Sequence, residues 1–279
     1  MRDNNHERQA RLVFALLIVG LFFLAFRINL PSVWPGPELP ADPEPEIPEP
    51  VVEIPDFAAI LDVEMKKQTF FNFLQPFVDE MNKRVAQERS RVIEIIEKVE
   101  NGGNPDRSER DFLRELSIEY EVQMESVDNP AELRRLLRRV DILPPSLVLA
   151  QAANESAWGT SRFAMDGYNF FGQWCYTEGC GIVPSNRRST ASHEVKSFDS
   201  IQASVEAYFM NLNTFPSYQD LRLIRQRLRN NNRPIDGISL SQGLESYSER
   251  GEDYINELRS MIYYNDLLER DMSLMQQNL

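Results

Sequence analysis

LPPSLVLAQAANESAWGTSRFAMDGYNFFGQWCY, residues 143–176, is the stretch on which the reading of this chain turns. Pro144 and Pro145 suit a helix start, because the first helical turn makes no use of the N–H groups that proline lacks. Ser146 to Ala157 is rich in Leu and Ala and holds no breaker, and Gly159 supplies a C-terminal stop. At about 3.6 residues per turn, Leu147, Gln151 and Glu155 form one stripe, with Ala152 and Ala153 allowing close packing beside it. One carboxylate therefore falls in the last turn of an otherwise apolar helix. Trp158 follows it directly, and Phe170, Phe171 and Trp174 come soon after.

That is a poor place for a negative charge. The C-terminal end of a helix carries partial negative charge, and apolar neighbours add a desolvation cost. Both effects favour a protonated Glu155 near neutral pH, the state a general acid needs. The plain alternative is a surface Glu at a frayed helix end.

The segment AQAANESAWGTSRFA followed by YNFFG resembles the signature of the glucosaminidase domain of glycoside hydrolase family 73, which includes peptidoglycan N-acetylglucosaminidases. The flanking LPPSLVLAQAANESAWG and GQWCYTEGCGIVP are similar to Bax-type envelope proteins of Gram-negative bacteria. The resemblance covers residues 141–270. It implies an α+β, mostly α fold: a lysozyme-like helical domain with a small β-lobe, in which Glu155 is the catalytic acid. It also implies that Tyr168, Asn169, Phe170, Phe171 and Trp174 contribute to a sugar-binding cleft. The closing stretch GLESYSERGEDYINELRSMI resembles the family segment that brings a tyrosine near the acid. Tyr254 fits that role by motif position, and Tyr247 lines the cleft. Tyr254, Leu258 and Met261 also fit a buried helix face, so core packing competes for Tyr254.

Cys175 and Cys180 enclose four residues, and these are the only two cysteines of the chain. In an exported protein they read as a short-loop disulfide. Glu178, inside that loop, is the candidate second carboxylate that many glycosidases need. Glu194, on an expected strand at 193–198, is the alternative, and an ordinary surface Glu is the bland reading of either.

Composition bounds the rest. The 279 residues suffice for one or two domains with a sizeable core. A net charge of −13 argues against nucleic acid as a partner. The basic clusters Arg134, Arg135, Arg138, Arg139 and Arg222–Arg229 sit at helical spacing and read as solvated faces. Two distant histidines and two cysteines make no metal site, and no phosphate loop or dinucleotide motif is present. No metal or organic cofactor is implied.

Toward the N-terminus, residues 1–11 read as a cytoplasmic tail carrying Arg2, Arg8 and Arg11. Leu12–Phe26 is uncharged and spans about 22 Å as a helix. With Arg11 and Arg27 snorkelling and apolar length added beyond, residues 12–30 read as a single transmembrane anchor in the inner membrane. A cleaved signal peptide competes, but no small-x-small site follows Phe26. Residues 31–56, rich in Pro and Glu, form an extended linker that cannot bury a core. Residues 57–140 read as a helical platform, with Pro76 kinking or dividing its first segment, Ser108 opening a helix over 109–125, and Asn129 capping one over 130–140. Residues 141–270 form the glucosaminidase domain and 271–279 a tail.

The sequence thus points to a membrane-anchored periplasmic hydrolase of the β-1,4-linked glycan of peptidoglycan, cutting after N-acetylglucosamine. A lytic transglycosylase or muramidase on the same substrate is the runner-up, and a non-catalytic glycan-binding module is the rival from another class. The sequence names no protein partner.

Overall fold

The longest element is α1 (Val63–Glu100), in a computed structural model that describes residues 53–185, 187 and 192–271. The expected tail, the anchor at 12–30, the linker through residue 52 and residues 272–279 lie outside these. Among the described residues, no helix is long and apolar enough to cross a membrane. The Asp62 side chain caps α1 by accepting from the Met65 N–H at 2.7 Å. Pro76 lies inside the helix and does not divide it. A proline there forfeits one backbone hydrogen bond, but Phe70, Phe71, Leu74, Val78, Met81 and Val85 bury one face on either side of it, and tertiary packing decides. Phe57, expected to be helical, instead sits in a turn ahead of α1, fully buried and edge-on to Phe70 and Phe73.

The second helix, α2 (Arg107–Glu119), starts and stops earlier than expected. Asp106 rather than Ser108 is the cap, because Glu109 answers it: the Glu109 N–H donates to Asp106 Oδ1 and the Asp106 N–H donates to Glu109 Oε2. Asn129 caps α3 (Pro130–Arg139) through the Ala131 N–H at 3.0 Å, as the sequence indicates.

The predicted central helix is α4 (Pro145–Glu155), and every residue from Pro145 to Ala153 is buried. A short helix, α5 (Arg162–Gly167), leads into strands β1 (Trp174–Cys175), β2 (Gly181–Ile182) and β3 (Glu194–Lys196). The sheet is antiparallel in the order β1-β3-β2, with Cys175 opposite Glu194 and Ile182 opposite Val195. Ser200 caps α6 (Ile201–Thr214); then come α7 (Gln219–Asn230), α8 (Gly237–Ser241) and α9 (Glu252–Tyr264). The fold is mostly helical with one small sheet, which bears out the α+β class. Helix α4 packs against α1, α8 and α9, so the platform and the residues after 141 share one core.

The second basic cluster departs most from expectation, whereas Arg134 and Arg135 of the first are exposed as expected. Arg222 and Arg225 on α7 are buried rather than solvated, at 4% and 0% exposure. Arg225 donates to the carbonyls of Asp141, Ile142 and Arg138, while Arg229 grips the Asp141 carboxylate. Helical spacing placed these arginines on one face; only the fold reveals that the face meets a buried acid.

Candidate active site

Helix α4 is held at both ends by groups far away in sequence. At its start the cap position is Pro144, which has no side-chain acceptor. Buried Asp271 takes that role, accepting from the Ser146 N–H at 2.8 Å and from Ser146 Oγ at 2.6 Å. The sequence reading had put Asp271 in a tail. Just ahead, Asn82 of α1 clamps Leu143 by donating to its carbonyl and accepting from its N–H.

At its other end α4 stops abruptly. Ala157, Trp158 and Gly159 are left-handed in succession, with φ of 51°, 60° and 76°. The Trp158 N–H reaches back to the Ala153 carbonyl at 2.8 Å, and Ser156 Oγ donates to the Ala152 carbonyl while accepting from the Gly159 N–H. Left-handed Ala and Trp each cost about 1–2 kcal/mol. Packing offsets this: the Trp158 ring sits edge-on to Phe70 and Phe71 of α1. Gly159 itself admits no side chain, since a Cβ there would lie 2.4 Å from the Phe57 ring. The helix thus ends four residues before that glycine and leaves Glu155 as its last residue.

Glu155 is half-buried and lies at the end of a directed chain of hydrogen bonds. The Tyr208 hydroxyl donates to Gln151 Oε1, Gln151 Nε2 donates to the Tyr254 oxygen at 3.0 Å, and the Tyr254 hydroxyl donates to Glu155 Oε1 at 2.8 Å. An amide NH₂ can only donate, so the Tyr254 oxygen accepts from it and the tyrosine proton is left for the acid. Burial pushes the Glu155 carboxyl above the usual carboxylate range, and the Tyr254 and Asn154 side chains pull it partly back. Glu257 on α9 adds a small upward push and Arg250 a small downward one. Burial and the charge of Glu155 together keep Tyr254 protonated.

The second oxygen, Oε2, faces Gly172. A Cβ on Gly172 would lie 3.4 Å from it, and Gly172 holds φ +63°. The chain following α5 therefore passes directly over the acid. Tyr168 turns this segment with φ 52°, and Asn169 fastens it: Nδ2 donates to the carbonyls of Gln173 and Lys196, and Oδ1 accepts from the N–H groups of Phe171 and Gln173. Phe170 packs on Phe70 and Phe73, and Phe171 stacks on Tyr208 at 4.1 Å. Asn169, Phe170 and Phe171, expected to contribute to a sugar cleft, are at most 2% exposed and offer no face to a ligand; they pack beneath the segment that crosses Glu155. Tyr247 donates to the Phe171 carbonyl at 2.9 Å and stacks on Tyr254 with centroids 5.7 Å apart, so both tyrosines flank the acid. Trp174 is 53% exposed and stacks on His193.

In the β-lobe, Cys175 and Cys180 are disulfide-bonded. Glu194 is buried beneath their loop and accepts from the Gly179 and Gly181 N–H groups, which ties it into the lobe. Glu178 is exposed on the loop. Gln151 and Tyr208 were not read as site residues. The i, i+4 spacing of Gln151 to Glu155 was the available sign for the first; nothing local marks the second.

The family model described as mannosyl-glycoprotein endo-beta-N-acetylglucosaminidase matches residues 131–267. The chain is 31% identical over 203 residues to "Protein bax" of Escherichia coli (strain K12), covering 73% of this chain and 71% of that protein. No solved structure is a significant match. Set beside a tyrosine-supported acid at the end of a buried helix, these matches show that the chain belongs to the glucosaminidase family and carries a glycosidase-type domain.

Proposed function

We propose that the protein hydrolyses β-1,4 glycosidic bonds in the glycan strand of peptidoglycan, on the reducing side of N-acetylglucosamine, with Glu155 as general acid. One observation carries this reading: a half-buried carboxyl with an upward-shifted pKa, one oxygen held by Tyr254 and the other facing the chain that crosses the site. Protonation of the glycosidic oxygen by Glu155 lets the C–O bond break with its electron pair leaving on that oxygen. Water then adds to the anomeric carbon and gives up a proton, which restores the acid. Tyr254, Glu178 or the acetamide of the substrate offsets the charge developing on the sugar. Glu194 is less suited to that task because its two oxygens are occupied by loop amides. Exposed Trp174 offers a face on which a pyranose ring stacks.

Gln151 and Tyr208 are positioning residues in this scheme, since they act on the acid only through Tyr254. Residues 12–30 anchor the chain in the inner membrane with the enzyme in the periplasm. The arginines flanking an apolar run support that placement, and a disulfide suits an oxidising compartment. Mass spectrometry of purified peptidoglycan digested with the full chain tests the reaction. Products ending in reducing N-acetylglucosamine support it; products lighter by one water indicate a transglycosylase. No release at all favours the binding-module reading.

A further inference from the structure

Away from the acid, the buried Asp141 carboxylate faces three guanidinium groups. Arg229 Nη2 lies at 2.5 Å, Arg89 Nη1 at 3.3 Å and Arg225 Nε at 3.6 Å. One negative charge therefore answers three positive ones, an excess of two in a place largely shielded from water. Arg225 shows the strain: burial pulls it down to about 10, the Asp141 charge pulls back upward, and repulsion from Arg89, Arg229 and Arg222 works with burial.

A cavity of about 210 Å³ opens against this cluster between α1, α3 and α7. Four arginines line it, Arg89, Arg134, Arg138 and Arg229, with Asp141 as the single acid. Arg134 already pairs with Glu100. Arg138 is half-buried, its Nε has no hydrogen-bond partner, and among the described residues no carboxylate pairs with it. Gln226 and Asn230 add neutral donors to the wall. Such a concentration of cations runs against a chain whose net charge is −13.

We propose that this cavity binds a phosphate-type oxyanion. Guanidinium forks match tetrahedral oxyanions and bond them in pairs, and a dianion cancels an excess of two charges. At about 30 Å³ per water the space holds roughly seven waters, enough for a phosphomonoester group. Asp141 lies four residues ahead of α4, so the bound anion sits at the opposite end of that helix from Glu155, about 16 Å along its axis. The same chemistry is offered by free phosphate and by a phosphomonoester on a lipid or glycan.

Calorimetric titration of the full chain, in a phosphate-free nonionic detergent at low ionic strength, tests the site with inorganic phosphate and with glycerol phosphate. Saturable binding is expected with Kd on the order of 1 mM. Arg138→Gln is expected to weaken it at least tenfold without moving the unfolding midpoint, because the Arg138 side chain holds no structural bond and its carbonyl, which accepts from Arg225, is kept. Arg134→Gln, on an exposed side chain, serves if Arg138→Gln fails to fold, and Arg107→Gln, outside the cavity, is expected to change nothing. Tighter binding of glycerol phosphate than of phosphate identifies an esterified source, and the reverse a free ion. Absence of saturable binding, or equal binding by wild type and both cavity variants, overturns the proposal.

Discussion

The Tyr254 hydroxyl donates to Glu155 Oε1 at 2.8 Å across 99 residues of sequence. Because Gln151 occupies the Tyr254 oxygen as a donor, that direction is fixed, and Oε2 is left to carry the transferable proton. A donor on the charged form lowers a carboxyl pKa, so Tyr254 opposes the upward push of burial. In Tyr254→Phe the Glu155 pKa is therefore expected to rise further. An acid works while protonated, so activity is present below its pKa and is lost as pH rises through it. The alkaline limb of kcat/KM should move to higher pH in the variant, and the rate at its optimum should fall about tenfold as the carboxyl loses its orientation. An unmoved alkaline limb would refute the assignment.

Glu155→Gln keeps shape and hydrogen bonding but removes the proton that is transferred. General acid catalysis is worth about 10²–10⁴-fold, so release of reducing sugar should drop by at least that factor while the melting temperature stays close to wild type. Near-normal release by this variant would be fatal to the mechanism. Glu178→Gln, measured alongside, should cost comparably only if Glu178 is the partner acid.

Gly172→Val is expected to damage the site from the other side. At φ +63° a branched residue is strained by about 1–2 kcal/mol, and its side chain would fill the space over Glu155 Oε2. Activity should fall more steeply than stability does. Comparing kcat/KM with the urea midpoint reads the difference, and an active but unstable variant would contradict it.

Asp141→Asn should be the most destabilising of these changes, by about 3–5 kcal/mol, because it leaves buried arginines with no counter-charge. Burial alone would raise the Asp141 pKa, but the Arg225, Arg89 and Arg229 charges lower it overall. For a depressed acid the stabilisation is present above the unfolded-state value and is lost as pH falls through the folded one. Urea midpoints of the wild type should therefore decline on acidification, and those of Asp141→Asn should decline less. Parallel curves would argue against it.

Local chemistry was legible before the fold was known. Asn129 was readable as a cap, and the two cysteines as a pair, because each signal lies within a few residues of its partner. The place of Glu155 in a last helical turn followed from prolines, spacing and a glycine. What was not legible depends on partners distant in sequence. Arg225 looked like a solvated charge until the backbone of Asp141, 84 residues away, came to meet it. Tyr208 carries no local mark of a role; it is buried in the core, and its hydroxyl orients Gln151. Asp271 became a helix cap only because α4 begins on prolines that cannot cap themselves.

The clamp between Asn82 and Leu143 bears on where this protein can be cut. The family match opens at residue 131, yet the groove that receives α4 is built by residues well before it: Asn82 fixes its approach, and Phe70 and Phe71 hold the tryptophan at its end. A fragment trimmed to the matched boundary would expose that apolar wall and lose both fixings. The limit of recognisable ancestry is therefore not the limit of the packed unit, which begins at Ile54, 77 residues upstream of the match.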